Sequence, residues 1–130
     1  MMNIEYIQIP NAPAPVGHYS PAVIHNGLIF VSGQLPINPQ TEEKITGSIE
    51  AQTRQVLVNI SEILKAAGSD LSRVLKMTVY VSDISLWGAV NEVYGEVMGE
   101  ARPARAVVPT KELHYGFLIE IDAIAAVLKP

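Results

Sequence analysis

The sequence predicts an α+β domain, a mixed sheet with two helices packed on one face. Three observations carry that prediction. Two stretches place apolar residues at helical spacing, several others alternate or run apolar as strands do, and the elements succeed one another in the order ββ(β)αβαββ. Two helices can cover only one face of a sheet this wide. At 130 residues the chain reads as one domain spanning 1–130, long enough to bury roughly two thirds of the surface its unfolded form exposes.

The lead-in from Asn11 to Gly17 carries Pro13 and Pro15 and reads as extended and irregular. Ala22-Val23-Ile24-His25 and Leu28-Ile29-Phe30-Val31-Ser32 then flank Asn26-Gly27, a strong hairpin signal because both residues tolerate the positive φ of a type I′ turn. Gly33 and Pro36 end the second of these strands, and Asn38-Pro39-Gln40-Thr41 forms a further turn. A helix is predicted from Ile49 to Ala67, with Ser48 as N-cap, Glu50 in the first turn and Gly68 at C′. Its apolar stripe is Ile49, Val56, Leu57, Ile60, Ile63, Leu64 and Ala67.

A strand from Val74 to Val81 follows, with Leu75, Met77, Val79 and Val81 alternating against Lys76, Thr78 and Tyr80. The second helix is predicted from Leu86 to Met98, capped by Ser85 and ended by Gly99, with Trp87, Val90, Tyr94, Val97 and Met98 facing inward. Two strands close the chain, one around Arg105 to Val108 and one from Phe117 to Leu128. That last strand is apolar on both faces: Phe117, Ile119, Ile121 and Ala123 on one, Leu118, Ile124, Ala126 and Leu128 on the other. A second apolar face calls for a partner, and a closed homo-oligomer is the usual one. Glu120 and Asp122 lie on that second face and so point toward the expected subunit seam.

Composition supports the same picture. The chain is 48% hydrophobic and 17% charged, with few charges to cover its outside. Its formal charge of -4 argues against a broad nucleic-acid surface. Cysteine is absent, which removes disulfides, thiolate chemistry and cysteine metal sites. No run has the length of a membrane span and the start lacks the regions of a signal peptide, so a cytoplasmic protein is expected. His18, His25 and His114 lack metal-ligand spacing, and no metal site is expected.

Two charges stand out because each lies in an apolar strand: Arg105 in Pro103-Ala104-Arg105-Ala106-Val107-Val108 and Glu120 in Phe117-Leu118-Ile119-Glu120-Ile121. Burying a charge costs several kcal/mol, on the order of what only pairing and hydrogen bonding repay. From spacing alone two readings stay open: a structural ion pair tying neighbouring strands, or a grip on a small acidic molecule. The guanidinium fork matches a carboxylate's two oxygens.

Pro103-Ala104-Arg105-Ala106, followed by Leu113, Gly116 and Ile119-Glu120-Ile121, closely resembles the Rid family, the reactive-intermediate deaminases also called YjgF-like. Gly17-His18-Tyr19-Ser20, Val31-Ser32-Gly33-Gln34-Leu35-Pro36, Glu50-Ala51-Gln52-Thr53-Arg54-Gln55 and Val90-Asn91-Glu92-Val93-Tyr94 agree with it, so the likeness runs from about Asn11 to Val127. The resemblance implies a chorismate-mutase-like fold assembled as a homotrimer, with sites in the clefts between subunits. It also implies cofactor-free hydrolysis of enamines and imines such as 2-aminoacrylate, 2-iminopropanoate and 2-iminobutanoate, released by pyridoxal-phosphate enzymes, to a 2-keto acid and ammonia.

On that resemblance Arg105 binds the substrate carboxylate, and Glu120 activates water and moves protons to the leaving nitrogen. Tyr19, Ser32 and Gly33 line the cleft, Asn91 lies at its edge, and the main chain at Val107 contacts the substrate. Many members have Cys where Val107 stands, and Pro21 and His114-Tyr115 also depart from the usual pattern, which bears on side-chain preference. Read without the family, Ser32 is a hydrogen-bonding strand-end residue, Gly33 a bulge or close approach, Tyr19 a packed aromatic and Asn91 a polar edge residue. Met77, Met98 and Trp87 read as core, and His25 as exposed. The rival functions are a non-catalytic trimer of the same fold that senses ligands, binds RNA or holds other proteins, and, last, a pericyclic mutase. The mutase needs several cationic groups, and the arginines are only Arg54, Arg73, Arg102 and Arg105.

Overall fold

The computed structural model describes residues 3–128. Its strands are β1 (Glu5–Ile7), β2 (Ala22–His25), β3 (Leu28–Gln34), β4 (Val74–Val81), β5 (Ala104–Pro109) and β6 (Ile119–Ala126), joined in one mixed sheet of order β1-β2-β3-β6-β4-β5. The helices are α1 (Ile49–Ala66) and α2 (Trp87–Met98). Only β4 and β5 pair in parallel, and α2 supplies the crossover that a parallel pair requires. The last strand in sequence, β6, thus lies between β3 and β4 in the middle of the sheet.

The local signals explain most of these elements. His25 pairs with Leu28 across Asn26 (φ 55°) and Gly27 (φ 79°), a two-residue turn with both central residues at positive φ. Ser48 Oγ accepts the Ala51 N–H at 3.1 Å, and Gly68 (φ 80°) takes the left-handed position after Ala67. Every residue of the predicted α1 stripe is buried, with Val56, Leu57, Ile60, Ile63 and Leu64 fully so. They meet Ile119, Ile121, Ala123 and Ala125 of β6 and Met77, Val79 and Val81 of β4 in the core. Each fully buried Val, Leu, Ile or Met among them contributes about 1.5–3 kcal/mol on leaving water.

Four expectations are corrected. A short strand, Glu5–Ile7, precedes the predicted ones; three residues are too few to show a period. In β4, Val74 pairs with Ala125 but Lys76 with Ile124, so Leu75 is the extra residue of a bulge and is turned out to solvent instead of alternating inward. The second helix begins at Trp87 after a 3₁₀ turn, Ile84–Leu86. Ser85 is not its N-cap: the Asp83 carboxylate accepts the Ser85 N–H at 2.8 Å and caps the 3₁₀ turn, while Leu86 offers α2 no side-chain cap. Trp87 is not core but 46% exposed. As first residue of α2 its side chain tilts N-terminally, past the start of the helix and away from the packed stripe of Val90, Val93, Tyr94 and Met98.

The helices leave one sheet face open. Along it run Tyr6, Val23, Phe30 and Ile124 as one row of paired residues, then Asp122-Thr78-Ala106, then Glu120-Tyr80-Val108. Phe30 and Val108 are exposed there.

Candidate active site

β6 alternates strictly, with Ile119, Ile121, Ala123 and Ala125 buried in the core and Glu120 and Asp122 on the open face. β3 has an irregularity beside them. Val31 pairs with Ala123 and Gln34 with Ile121, so Ser32 and Gly33 share the span opposite Asp122. The bulge brings the Gly33 backbone against the Glu120 carboxylate so closely that a Cβ on Gly33 would collide with Glu120 Oε2 and lie 3.2 Å from its Cδ. Gly33 is therefore both the bulge and the close approach that its sequence context allowed. Ser32 Oγ donates to the Ser20 carbonyl at 2.6 Å and its N–H to the Pro21 carbonyl at 2.9 Å, tying the Tyr19 loop to the bulge. Tyr19 itself is 58% exposed.

Buried amides on α1 hold both strands in place, and sequence reasoning missed them. Gln52 Oε1 accepts the Leu118 N–H at 2.9 Å, two residues before Glu120. Asn59 Nδ2 donates to the carbonyls of Leu35 and Ile37, just after Gly33. Both polar residues sit on the helix's core-facing side, where an apolar stripe search passes over them.

Burial raises the Glu120 carboxyl above the usual carboxylate range; the charge of Asp122 adds to this, and His114 opposes it. Across the ladder Tyr80 is raised chiefly by Asp122, then by burial and by Glu120. The open face thus holds two carboxylates and a phenol in mutual electrostatic contact.

Arg105 is elsewhere. It pairs with Met77, a core-facing residue, and so lies on the helix face of edge strand β5. Its guanidinium stacks over the Tyr94 ring at 4.8 Å and donates to Asn91 Oδ1 at 3.0 Å. The exposed Trp87 precedes Asn91 by one helical turn and flanks the same edge. The Tyr94 hydroxyl is buried without a hydrogen-bond partner, and burial raises its pKa against the opposing effect of Arg105. Val107 shares this face of β5.

The structural ion-pair reading of Arg105 and Glu120 is thereby overturned. β4 lies between their strands, and alternation sends the two side chains to opposite faces. The ion pair found among the described residues is Arg54–Glu96 at 2.9 Å, on the surface. The seven candidate residues fall into two groups within a chain: Tyr19, Ser32, Gly33 and Glu120 at the β3–β6 side, and Asn91, Arg105 and Val107 at the α2–β5 edge. Among the described residues no group of three His, Asp or Glu could hold a metal ion, and no helix is long and apolar enough to cross a membrane.

The mixed six-stranded sheet with two helices on one face agrees with the comparisons to known proteins. The sequence profile of the endoribonuclease L-PSP family matches residues 9–127. The chain is 49% identical over 121 residues to a RutC family protein of Pyrococcus horikoshii, covering 93% of this chain and 96% of that one. It is 42% identical over 119 residues to the 2-iminobutanoate/2-iminopropanoate deaminase of Capra hircus, covering 92% and 87%. The crystal structure of the Rid-family protein YyfA from Yersinia pestis superposes with a TM-score of 0.91 at 39% identity, over 96% of this chain and all of that one. The chain belongs to the endoribonuclease L-PSP family, the Rid or YjgF-like proteins, and has deaminases among its relatives.

Proposed function

We propose that this protein is a single-domain, cytoplasmic hydrolase of 2-imino acids, acting on 2-iminopropanoate, its enamine tautomer 2-aminoacrylate, and 2-iminobutanoate, without a cofactor. We place its site between protomers of a homotrimer. The observation that carries the reading is the separation of Arg105 and Glu120. Strands about 10 Å apart, with side chains on opposite faces, cannot offer both groups to one small substrate from one chain. The open face carries Phe30, Ile124 and Val108 beside Glu120, so a neighbouring copy packed there can bring its own α2–β5 edge to this carboxylate.

In such a cleft Arg105 of one protomer binds the substrate carboxylate as a fork, held in place by Asn91 and Tyr94. Glu120 of the other accepts a proton from water as the oxygen adds to the C=N carbon and passes it to the nitrogen, giving a carbinolamine. The carbinolamine's hydroxyl then loses its proton to Glu120 as the carbon becomes the keto group, the nitrogen takes that proton up, and the C–N bond breaks to release ammonia. A carboxyl raised by burial is suited to accepting and returning a proton in this way. The ribonuclease activity in the family's name is disfavoured by Glu120 and Asp122 side by side on the open face, which would repel a phosphate. RNA binding, if present, would weaken steeply with salt.

The test is complementation. Arg105→Ala and Glu120→Gln are assayed separately and after co-expression, with 2-aminoacrylate generated by a pyridoxal-phosphate dehydratase and keto acid release followed. Each variant alone is expected to be inactive. Random mixing in a ring returns intact sites, one Arg and one Glu from different chains, at about a quarter of the clefts. A mixture as inactive as its parents refutes the shared site, and a wild-type protein without effect on keto acid release refutes the deaminase.

A further inference from the structure

Beside Gly33 the chain forms a cavity of about 260 Å³ that opens to solvent. Gly33 borders both this cavity and the Glu120 carboxylate, and Tyr19 and Tyr115 also line it. It therefore continues the β3–β6 half of the proposed site instead of standing apart from it. Its walls are largely apolar, built from Pro13, Pro15, Pro21, Leu35 and the two tyrosine rings.

The amide side chains around it are already engaged. Asn59 donates to two carbonyls and accepts from Gln55 Nε2, Gln34 Nε2 donates to the Ser32 carbonyl, and Asn38 Oδ1 accepts from the N–H groups of Gln40 and Thr41. Lys44 lies over the Tyr115 ring at 4.8 Å from its centroid. A ligand inside thus meets mostly apolar wall, with Glu42 and Lys44 as the charged residues of the lining.

Tyr115 is fixed as a wall. Its backbone is left-handed (φ 59°), which a tyrosine rarely adopts, and its ring stands edge-on to Phe117 at 5.8 Å. Strained positions of this kind persist where their surroundings hold them, and they concentrate at ligand sites. It also sits in the 3₁₀ turn with His114, whose charge reaches Glu120. In size, an apolar cavity of about 150 Å³ is enough to take benzene.

We propose that this cavity receives the substrate's side chain, and that the enzyme favours 2-imino acids bearing large, flat apolar groups such as phenyl over those bearing methyl or ethyl. The inference rests on the deaminase reading and adds the substrate class to it. The water-attacked carbon lies at Glu120, the carboxylate at Arg105 of the neighbouring protomer, and the third substituent extends past Gly33 between Tyr19 and Tyr115. A methyl group would leave the cavity unfilled.

The test compares kcat/KM for imines made in place by a flavin amino-acid oxidase from phenylalanine and from alanine. The phenyl-bearing imine is expected to be preferred by about tenfold or more, the discrimination an apolar pocket gives for a few carbons. Two variants reshape the cavity from different sides: Ala12→Trp fills it, and Tyr115→Gly removes a wall at a φ that glycine accepts. Both are expected to lower the phenyl-to-methyl ratio, Ala12→Trp by about tenfold. A wild-type ratio at or below one, or a ratio that neither variant moves, overturns the side-chain site and leaves the deaminase standing. Failure to accelerate hydrolysis of either imine overturns both.

Discussion

Gly33→Ala isolates the contact on which the Glu120 side of the site depends. Gly33 is not in the left-handed region, so its backbone accepts alanine without conformational strain. The perturbation is steric and points at one group: the new Cβ overlaps Glu120 Oε2 and stands 3.2 Å and 3.5 Å from Cδ and Cγ. Either the carboxylate swings away by about 1 Å or the bulge shifts, and a misplacement of that size costs about 10²-fold in rate. That corresponds to about 2.7 kcal/mol of transition-state stabilisation. Folding stability responds differently. Alanine removes freedom from the unfolded chain, a gain of about 0.4–1 kcal/mol, against about 0.5–1.5 kcal/mol for an off-rotamer Glu120. The net change stays within about 1 kcal/mol, a few degrees in Tm. The assay pairs kcat/KM for imine hydrolysis with a thermal melt. Activity within threefold of wild type refutes the reasoning, as does a rate loss accompanied by a comparable collapse of Tm.

Four other outcomes follow from the same geometry. The acid limb of the pH profile reports Glu120 ionising; since Asp122 raises that pKa and His114 lowers it, Asp122→Asn is expected to move the limb to lower pH and His114→Gln to higher pH, read from kcat/KM across pH. Because the folded state holds the Glu120 proton more tightly than the unfolded chain, that stabilisation is complete below the ordinary carboxylate pKa and is lost as pH rises through the raised one. Glu120→Gln should therefore gain on wild type in thermal melts above that window. Gln52→Leu leaves the part-buried Leu118 N–H without its side-chain partner and should cost about 1 kcal/mol or more in a denaturant titration. Arg105→Lys keeps the charge but loses the fork and the fit over Tyr94, so kcat/KM for carboxylate-bearing imines should fall by about tenfold or more, a loss of about 1.5–3 kcal/mol.

What the sequence made legible were the local signals. The Asn26-Gly27 turn, the α1 stripe from Ile49 to Ala67 and the β4 limits depend on neighbours within a few residues, and the structure has them as read, while the last strand runs from Ile119 to Ala126, two residues shorter at each end than its apolar pattern predicts. Leu75, Ser85 and Trp87 were misplaced because a bulge and a 3₁₀ turn reset the period that the reading extrapolated. Gln52 and Asn59 were invisible for another reason: their partners lie 66 and 24 positions away, in backbone that no local pattern marks.

Strand order is the least legible feature and the one with the largest consequence for the site. Sequence places Arg105 and Glu120 on the last two strands, which invites a hairpin and an ion pair. Two physical rules instead separate them. The α2 connection lets β5 join β4 in parallel and makes β5 an edge, while β6 returns antiparallel to both β3 and β4 in the sheet's centre. Alternation then decides the faces. Arg105 shares register with core-facing Met77 and Glu120 with outward-facing Tyr80, and a one-residue slip of either strand would bury its charge-bearing face the wrong way round. A chain folded in this way leaves the carboxylate on an apolar face that calls for cover and the guanidinium on an edge free to reach a neighbour. On this account the distance within one chain is what makes room for a substrate between two.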